Sequence, residues 1–488
     1  MAAPVNAISR RAPGGKLRSF PIGASVITYL VFFILCLIVR EELEGDDWMV
    51  LLAMGGSAFY FTLWWKMDWQ GNRLISFGAA LLLAGGINRM LYALDVLFNG
   101  NHFDNWPVTS PDQGWSLLRG EAATVVGTFL VLWSWQRVSQ KQRARLGADP
   151  GSARGYWLMY VLPLILLVVQ RGQSGGDSGG GSITGVAFSA ALVSIMALSS
   201  SKTKPGLQGV LLAAALSLPY VFIALGTGMK EALIFSLLPF GLVYWSYLSS
   251  LYTRLAMVLI GALLLTLITS YVAYYRERVW FNKADLSTWQ VLEEFIALSG
   301  ADKDKDKTGE SMFLERNNAT YEHGIAIDVG DIYGARPGDI FGALYYLFIP
   351  RFLWHDKPSF TPGWEYASLL YGDAVMSHST TSIAAGLFPG LYMGGGYVAV
   401  VVVSPFLGWM IAWLERLAFA FGNTYTRKIM NWSFFMYALR FDENWPVHAI
   451  SGPLVVFVYV MVFSQAIQVV ANGHWDNKKA AVKPGRRD

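Results

Sequence analysis

The sequence predicts an all-α integral membrane protein of about twelve transmembrane helices with one long loop on the face opposite its termini. Three observations predict it. Of 488 residues, 54% are hydrophobic and 15% aromatic, only 15% are charged, and the mean hydropathy is +0.38. That balance departs from soluble-domain composition and excludes a soluble enzyme. The apolar residues gather in runs near the ~20 residues that cross ~30 Å of hydrocarbon, and many Trp, Tyr and Phe stand at run ends, as in an interfacial belt. Basic residues concentrate in alternate loops.

The runs lie at about 20–39, 48–65, 75–98, 121–136, 156–170, 183–200, 207–226, 231–249, 255–275, 386–414, 429–441 and 453–471. The first follows Arg10, Arg11, Lys16 and Arg18 and is read as a retained helix, because no small-residue cleavage site precedes Glu41. Alternate loops, counted from the N-terminus, hold 22 of the 38 Lys and Arg but only five of the 34 Asp and Glu, leaving 16 basic and 29 acidic residues elsewhere. This asymmetry predicts cytoplasmic termini. The chain divides into an N-terminal bundle of about nine helices (1–275), a long far-side loop (276–385), C-terminal helices (386–471) and a basic tail (472–488).

A loop that long is functional or disordered. Only 301–310, alternating Lys and Asp, reads as a solvated tip. The remainder carries Trp280, Phe281, Trp289, Tyr333, Tyr345, Tyr346, Trp354 and Trp364, enough aromatic area to pack on the bundle mouth. Residues 340–354 are apolar, too short to span and broken by Pro350, which predicts a re-entrant or interfacial helix. The glycine-rich stretch 171–182 reads as a far-side turn and lacks the strand context of a phosphate-binding loop.

Charges inside or at the far edge of a bundle are costly unless they face a wet cavity. The candidates are Arg89, Lys230, Arg276, Arg278 and Arg440, joined in the loop by Arg316, Arg351 and Lys357. Such cations on a net-acidic face suit an anion such as a lipid diphosphate; snorkelling to headgroups or pairing with neighbouring acids is the alternative for each. At 226–232, two glycines permit a sharp turn into a helix whose free N–H groups would favour an anion beside Lys230. The single cysteine, Cys36, excludes disulfides and Cys-type metal sites. The six histidines show no metal-ligand spacing, so no metal or other cofactor is expected. His323, Glu322 and His378 are the candidates for acid or base work.

The run Ile349-Pro350-Arg351-Phe352-Leu353-Trp354-His355-Asp356-Lys357-Pro358, then Ser379-Thr380-Thr381, then Gly386-Leu387-Phe388-Pro389-Gly390-Leu391-Tyr392-Met393-Gly394-Gly395-Gly396, resembles the Wzy-type polymerases of bacterial surface polysaccharides. The turn 226–232 is similar to that family's short glycine turn, with Lys230 where arginine is more usual. Leu439-Arg440-Phe441-Asp442 resembles its Arg/Asp helix ending. The resemblance implies a GT-C-like bundle in the bacterial inner membrane and a periplasmic long loop. It implies metal-independent joining of polyprenyl-diphosphate-linked oligosaccharide repeats, with release of polyprenyl diphosphate. A flippase and a chain-length regulator would be partners, and nucleic acid would not. On that reading Arg276, Arg278, Arg316, Arg351 and Lys230, with Arg440 next, meet the diphosphate charge. An O-antigen ligase or related lipid-linked glycosyltransferase remains the alternative, with a transporter or flippase behind it.

Overall fold

A computed structural model describes residues 29, 31, 33–34, 38, 47–69, 77–100, 107–108, 112–139, 156–173, 194–195, 198–199, 206–248, 251–281, 286–299, 319–342, 344–347, 354, 356, 358, 362–372, 383–421, 424–441, 444–458 and 460–462. Among them there is no strand. The helices are α1 (Asp47–Trp69), α2 (Phe77–Asn99), α3 (Gln113–Ser139), α4 (Tyr156–Gln173), α5 (Leu207–Leu225), α6 (Lys230–Tyr247), α7 (Leu251–Tyr275), α8 (Thr288–Ser299), α9 (Ala319–Tyr333), α10 (Pro337–Phe341), α11 (Leu344–Leu347), α12 (Pro362–Tyr371), α13 (Leu387–Phe421) and α14 (Thr424–Leu439), followed by α15 (Pro446–Val462). A π-helical turn, Arg276–Phe281, continues α7.

Twelve spans are not what the described residues contain. Four helical stretches are long and apolar enough to cross a membrane: Phe77–Phe98, Gln113–Ser139, Leu207–Leu225 and Leu387–Ala418. The expected helices at 20–39 and 183–200 lie almost wholly outside the described residues. In α14, Thr424, Arg427, Lys428 and Asn431 occupy the first two turns and shorten the apolar run. The single interfacial helix expected over 340–354 is instead the short pair α10 and α11, separated at Gly342, with 348–353 outside the described residues.

The expected start of α3 also moves, from 121 to Gln113. Asp112 accepts the Trp115 amide at 2.8 Å and caps the helix, satisfying one of the donors a helix start leaves open. The two added turns carry Ser116 and Arg119, whose polarity hides them from a hydropathy scan. In α8 the start is a reciprocal cap: Gln290 Oε1 accepts the Ser287 amide at 2.8 Å and Ser287 Oγ accepts the Gln290 amide at 3.3 Å, the arrangement S-x-x-Q encodes.

The two ends of the chain share one core. Phe77 of α2 packs against Phe441 and Trp135 at ring-centroid distances of 5.3 and 6.0 Å, and Tyr60, Leu132, Phe388, Leu391 and Phe434 join the same buried cluster. The division into N-terminal bundle, loop and C-terminal helices is therefore one of sequence and not of packing. A second cluster is built from α4 to α8, with Tyr220, Leu233, Val272 and Tyr275 buried.

Lipid tails are as apolar as leucine, so helices in a bilayer associate by close packing and not by hydrophobic transfer. The largest interface, α3 against α13, follows that rule. A Cβ on Gly127 would run into the Phe388 ring, and one on Gly408 into the backbone carbonyl of Val131. The carbonyl cannot rotate away. Gly408→Ala should therefore separate the helices and destabilise the protein by about 1–3 kcal/mol, the usual cost of overpacking; a melting temperature in detergent unchanged from wild type would refute this contact.

Candidate functional site

One end of the bundle collects the chemistry. There α2 ends and α3 begins, α5 turns into α6, α7 passes into its π-helical extension, and α14 gives way to Trp445 and α15. The helices of the long segment 276–385 attach at this same end.

The α5–α6 turn is held by α7. Tyr271 donates to the Leu225 carbonyl at 3.1 Å, Tyr275 to the Gly226 carbonyl at 2.9 Å, and Arg276 Nε to the Gly228 carbonyl at 2.9 Å. Gly228 sits at φ +61°, a conformation only glycine adopts without strain. Lys230, partly buried, is the first residue of α6, and the preceding Met229 offers no side-chain cap. Uncapped amides and the helix dipole make this start electropositive. Arg440 approaches from α14, with its guanidinium carbon 6.0 Å from the centre of the Phe235 ring on α6. The structure thus gathers Lys230, Arg276 and Arg440, which lie far apart in sequence, around the start of α6.

The other expected cations are placed differently. Arg278 donates to the Tyr274 hydroxyl at 3.2 Å and stands 3.6 Å from Glu294 of α8, an exposed arrangement that fastens α8 to the end of α7. Arg89, expected among the substrate-binding cations, is 1% exposed. Its Nε and Nη2 donate to the two Glu121 oxygens at 2.6 and 2.8 Å, its Nη1 to the Gly85 carbonyl at 2.8 Å, and its guanidinium lies 4.2 Å over the Tyr60 ring. This corrects the expectation: the guanidinium is aimed at protein partners inside the bundle. Arg316, Arg351, Lys357 and His378 lie outside the described residues.

Helix α9 is the part of the long segment that sequence reasoning undervalued. Its middle, residues 323–329, is buried throughout, packed against α3 and α13. Gly120 admits it closely, since a Cβ there would stand 2.8 Å from the His323 carbonyl carbon. Side chains secure the contact: Thr124 Oγ1 meets His323 Nδ1 at 3.2 Å, Ser116 donates to Asp328, and Arg119 pairs with Asp331. Tyr392 of α13 donates to Asp331 at 2.5 Å and lies beneath the Arg119 guanidinium, 5.3 Å from ring centre. Burial pushes the Asp331 carboxyl up, but hydrogen bonds from Arg119 and Tyr392 outweigh it and hold the group below the ordinary carboxylate range. Asp328 and Asp331, three apart in a segment with Ile325, Val329 and Ile332, were the sequence signal for a helix docked by one polar and one apolar face.

Beside this junction α13 breaks. Gly395 and Gly396 leave the helical region, Gly396 at φ +63°. The break strands carbonyls on the preceding turn, and the Arg336 amide donates to one of them, that of Met393, at 2.9 Å. The glycine-rich run quoted above thus folds as a helix interruption at the mouth of the bundle.

His323, an expected acid or base, is 2% exposed and engaged with Thr124. Glu322 is partly buried, and burial lifts its carboxyl to about 7. Among the described residues no three His, Cys, Asp or Glu form a group that could hold a metal ion.

Among the described residues the chain is all-helical, and four helical stretches are long and apolar enough to cross a membrane. No family model, curated protein or solved structure matches it.

Proposed function

We propose that the chain is an inner-membrane glycosyltransferase, with cytoplasmic termini, that polymerises polyprenyl-diphosphate-linked oligosaccharide repeats on the periplasmic face. The observation that carries this reading is the convergence of Lys230, Arg276 and Arg440 on the uncapped start of α6, at the end where the long segment docks. Cations beside a helix start that has no side-chain cap suit a diphosphate, whose developing negative charge must be met as it leaves. The acceptor hydroxyl of one lipid-linked repeat attacks the anomeric carbon of the donor chain. The bond to the diphosphate breaks with its electron pair, and polyprenyl diphosphate departs. Residues of the chain, and no metal or nucleotide, are assigned to these steps. Exposed Tyr345 and Trp289, with partly buried Trp354 and Trp364, offer ring faces to sugars.

Reconstitution of the purified chain with a synthetic lipid-linked repeat tests the reading. The expected product is a ladder of lengthening glycans with polyprenyl diphosphate released in step. Transfer of finished glycan to a different acceptor, or no release at all, would reject it.

A further inference from the structure

Helix α3 begins at the mouth of the bundle and, with 27 residues, ends about 40 Å away. At that far end Trp135 donates its indole N–H to Glu415 of α13 at 3.0 Å, and the Ser139 hydroxyl donates to the same carboxylate oxygen at 3.4 Å. These bonds hold residues 135 and 415 at one level. Both lie within helical stretches long and apolar enough to cross a membrane, and in a bilayer a shared level is a shared depth.

Tryptophans gather at this depth. Two residues before each bonded partner, about 3 Å along the axis, stand Trp133 and Trp413, 40% and 41% exposed. Trp409, also exposed, stacks on Trp413 with ring centroids 6.1 Å apart and planes 13° apart. Exposed indoles favour the boundary between hydrocarbon and headgroups, where the ring is in apolar surroundings and the N–H is wet. The level of Trp135 and Glu415 is therefore the place where one headgroup layer would begin.

A cation stands just beyond it. Arg137, in the last turn of α3, is exposed, and its guanidinium carbon lies 4.0 Å from the centre of the Trp133 ring. The indole face holds the guanidinium plane, which leaves the N–H edge, the part that matches two oxygens of a phosphate, turned to the surroundings. Glu415, the acid at this depth, is buried and bonded to Trp135 and Ser139. Among the described residues no carboxylate pairs with Arg137.

We propose that Arg137 and Trp133 form a headgroup site for an anionic phospholipid, with the guanidinium edge donating to the phosphate and the Trp133 ring lying against the upper part of the lipid chain. This inference needs only that α3 and α13 cross a bilayer, and it stands apart from the glycosyl-transfer reading. Charge selects the lipid: an arginine without a counter-ion favours a headgroup of net negative charge, whereas a choline headgroup would set a second cation beside it. Depth selects a lipid over free phosphate, because the ring that carries the guanidinium sits at the edge of the hydrocarbon. Arg416 of α13 supplies the comparison. It is exposed one residue past Glu415, but among the described residues no aromatic ring lies under it.

The test uses the purified full chain in detergent micelles and counts retained lipids by native mass spectrometry as phosphatidylglycerol or phosphatidylcholine is added. Arg137→Gln should need about fivefold more phosphatidylglycerol to retain its first molecule, the weight of one basic residue at an anionic surface, and should bind phosphatidylcholine as wild type does. Arg137→Lys, which keeps the charge without the planar face, and Trp133→Leu, which removes the platform, should fall between the two. Arg416→Gln should match wild type, and inorganic phosphate at the lipid's concentration should displace nothing. All four substitutions are at exposed positions, so melting temperatures without added lipid should agree with wild type. Equal retention by wild type and Arg137→Gln overturns the site. An equal loss in Arg416→Gln also overturns it, since the attraction would then belong to the whole face, and displacement by inorganic phosphate overturns a lipid as the occupant.

Discussion

Glu121→Ala should destabilise the folded protein by about 3–5 kcal/mol, the cost of leaving a buried charge without its partner. Arg89 and Glu121 are 2% exposed at their side chains and lie within helices suited to a bilayer. Every strong donor direction of the guanidinium shown by the structure ends on protein: two on Glu121, one on the Gly85 carbonyl. Tyr29 adds a hydrogen bond to Glu121 at 2.7 Å, tying residues 29, 89 and 121 together. The site is also tight, since a Cβ on Gly56 would stand 2.9 Å from Arg89 Cδ. With the carboxylate gone, the cation would have to draw water into the bundle or pull the helices apart. Replacing both partners, Arg89→Leu with Glu121→Leu, should cost much less, because no charge is then stranded. Melting in detergent micelles, followed by tryptophan fluorescence, checks both. A Glu121→Ala chain as stable as wild type, or a double variant worse than the single, would contradict the proposed role of the pair.

Arg276→Ala should lower turnover by about 10²–10³-fold, the range seen when one group stabilising a developing charge is removed. Arg276 joins two functions that the variants can separate. Its Nε fastens the left-handed Gly228 turn at 2.9 Å, and its positive charge stands beside the start of α6. Arg276→Lys keeps the charge without the fork that fixes it. An intermediate rate is expected for lysine and a near-complete loss for alanine, with both variants present in the membrane at wild-type amounts. Assay of released polyprenyl diphosphate in the reconstituted system gives the measurement. Equal, wild-type rates for alanine and lysine would remove Arg276 from the proposed site.

Sequence reading succeeded where one residue type repeats along one element. Apolar runs located the starts of α1, α2, α4 to α7 and α13 to within a few residues, since a helix in hydrocarbon must keep its own backbone hydrogen bonds and show apolar side chains all round. The turn at 226–232 was legible for a similar local reason, as Gly228 must adopt a positive φ and Lys230 follows at once. The reading failed where charge and apolarity mix within one helix. The first turns of α3 carry Arg119 and Glu121, and α9 carries Glu322, His323, Asp328 and Asp331, so both look like loop to a hydropathy window. They are helical because their polar groups find one another across the interface.

The sequence by itself determined that this is a helical, strongly apolar chain with cations near the ends of its runs, because those properties are sums over neighbouring residues. Only the tertiary structure decided which cations act together. It turned Arg89 inward to Glu121 and Arg278 outward to Glu294, and it brought Lys230, Arg276 and Arg440 to the start of one helix. It also buried Glu322 Oε2 of α9 and the Tyr366 hydroxyl of α12 without a hydrogen-bond partner. The physical reason is that a charge takes its role from the groups within a few ångströms of it, and here those groups come from different segments, 16 residues apart for Arg278 and Glu294, 32 for Arg89 and Glu121 and 48 for Arg276 and Gly228.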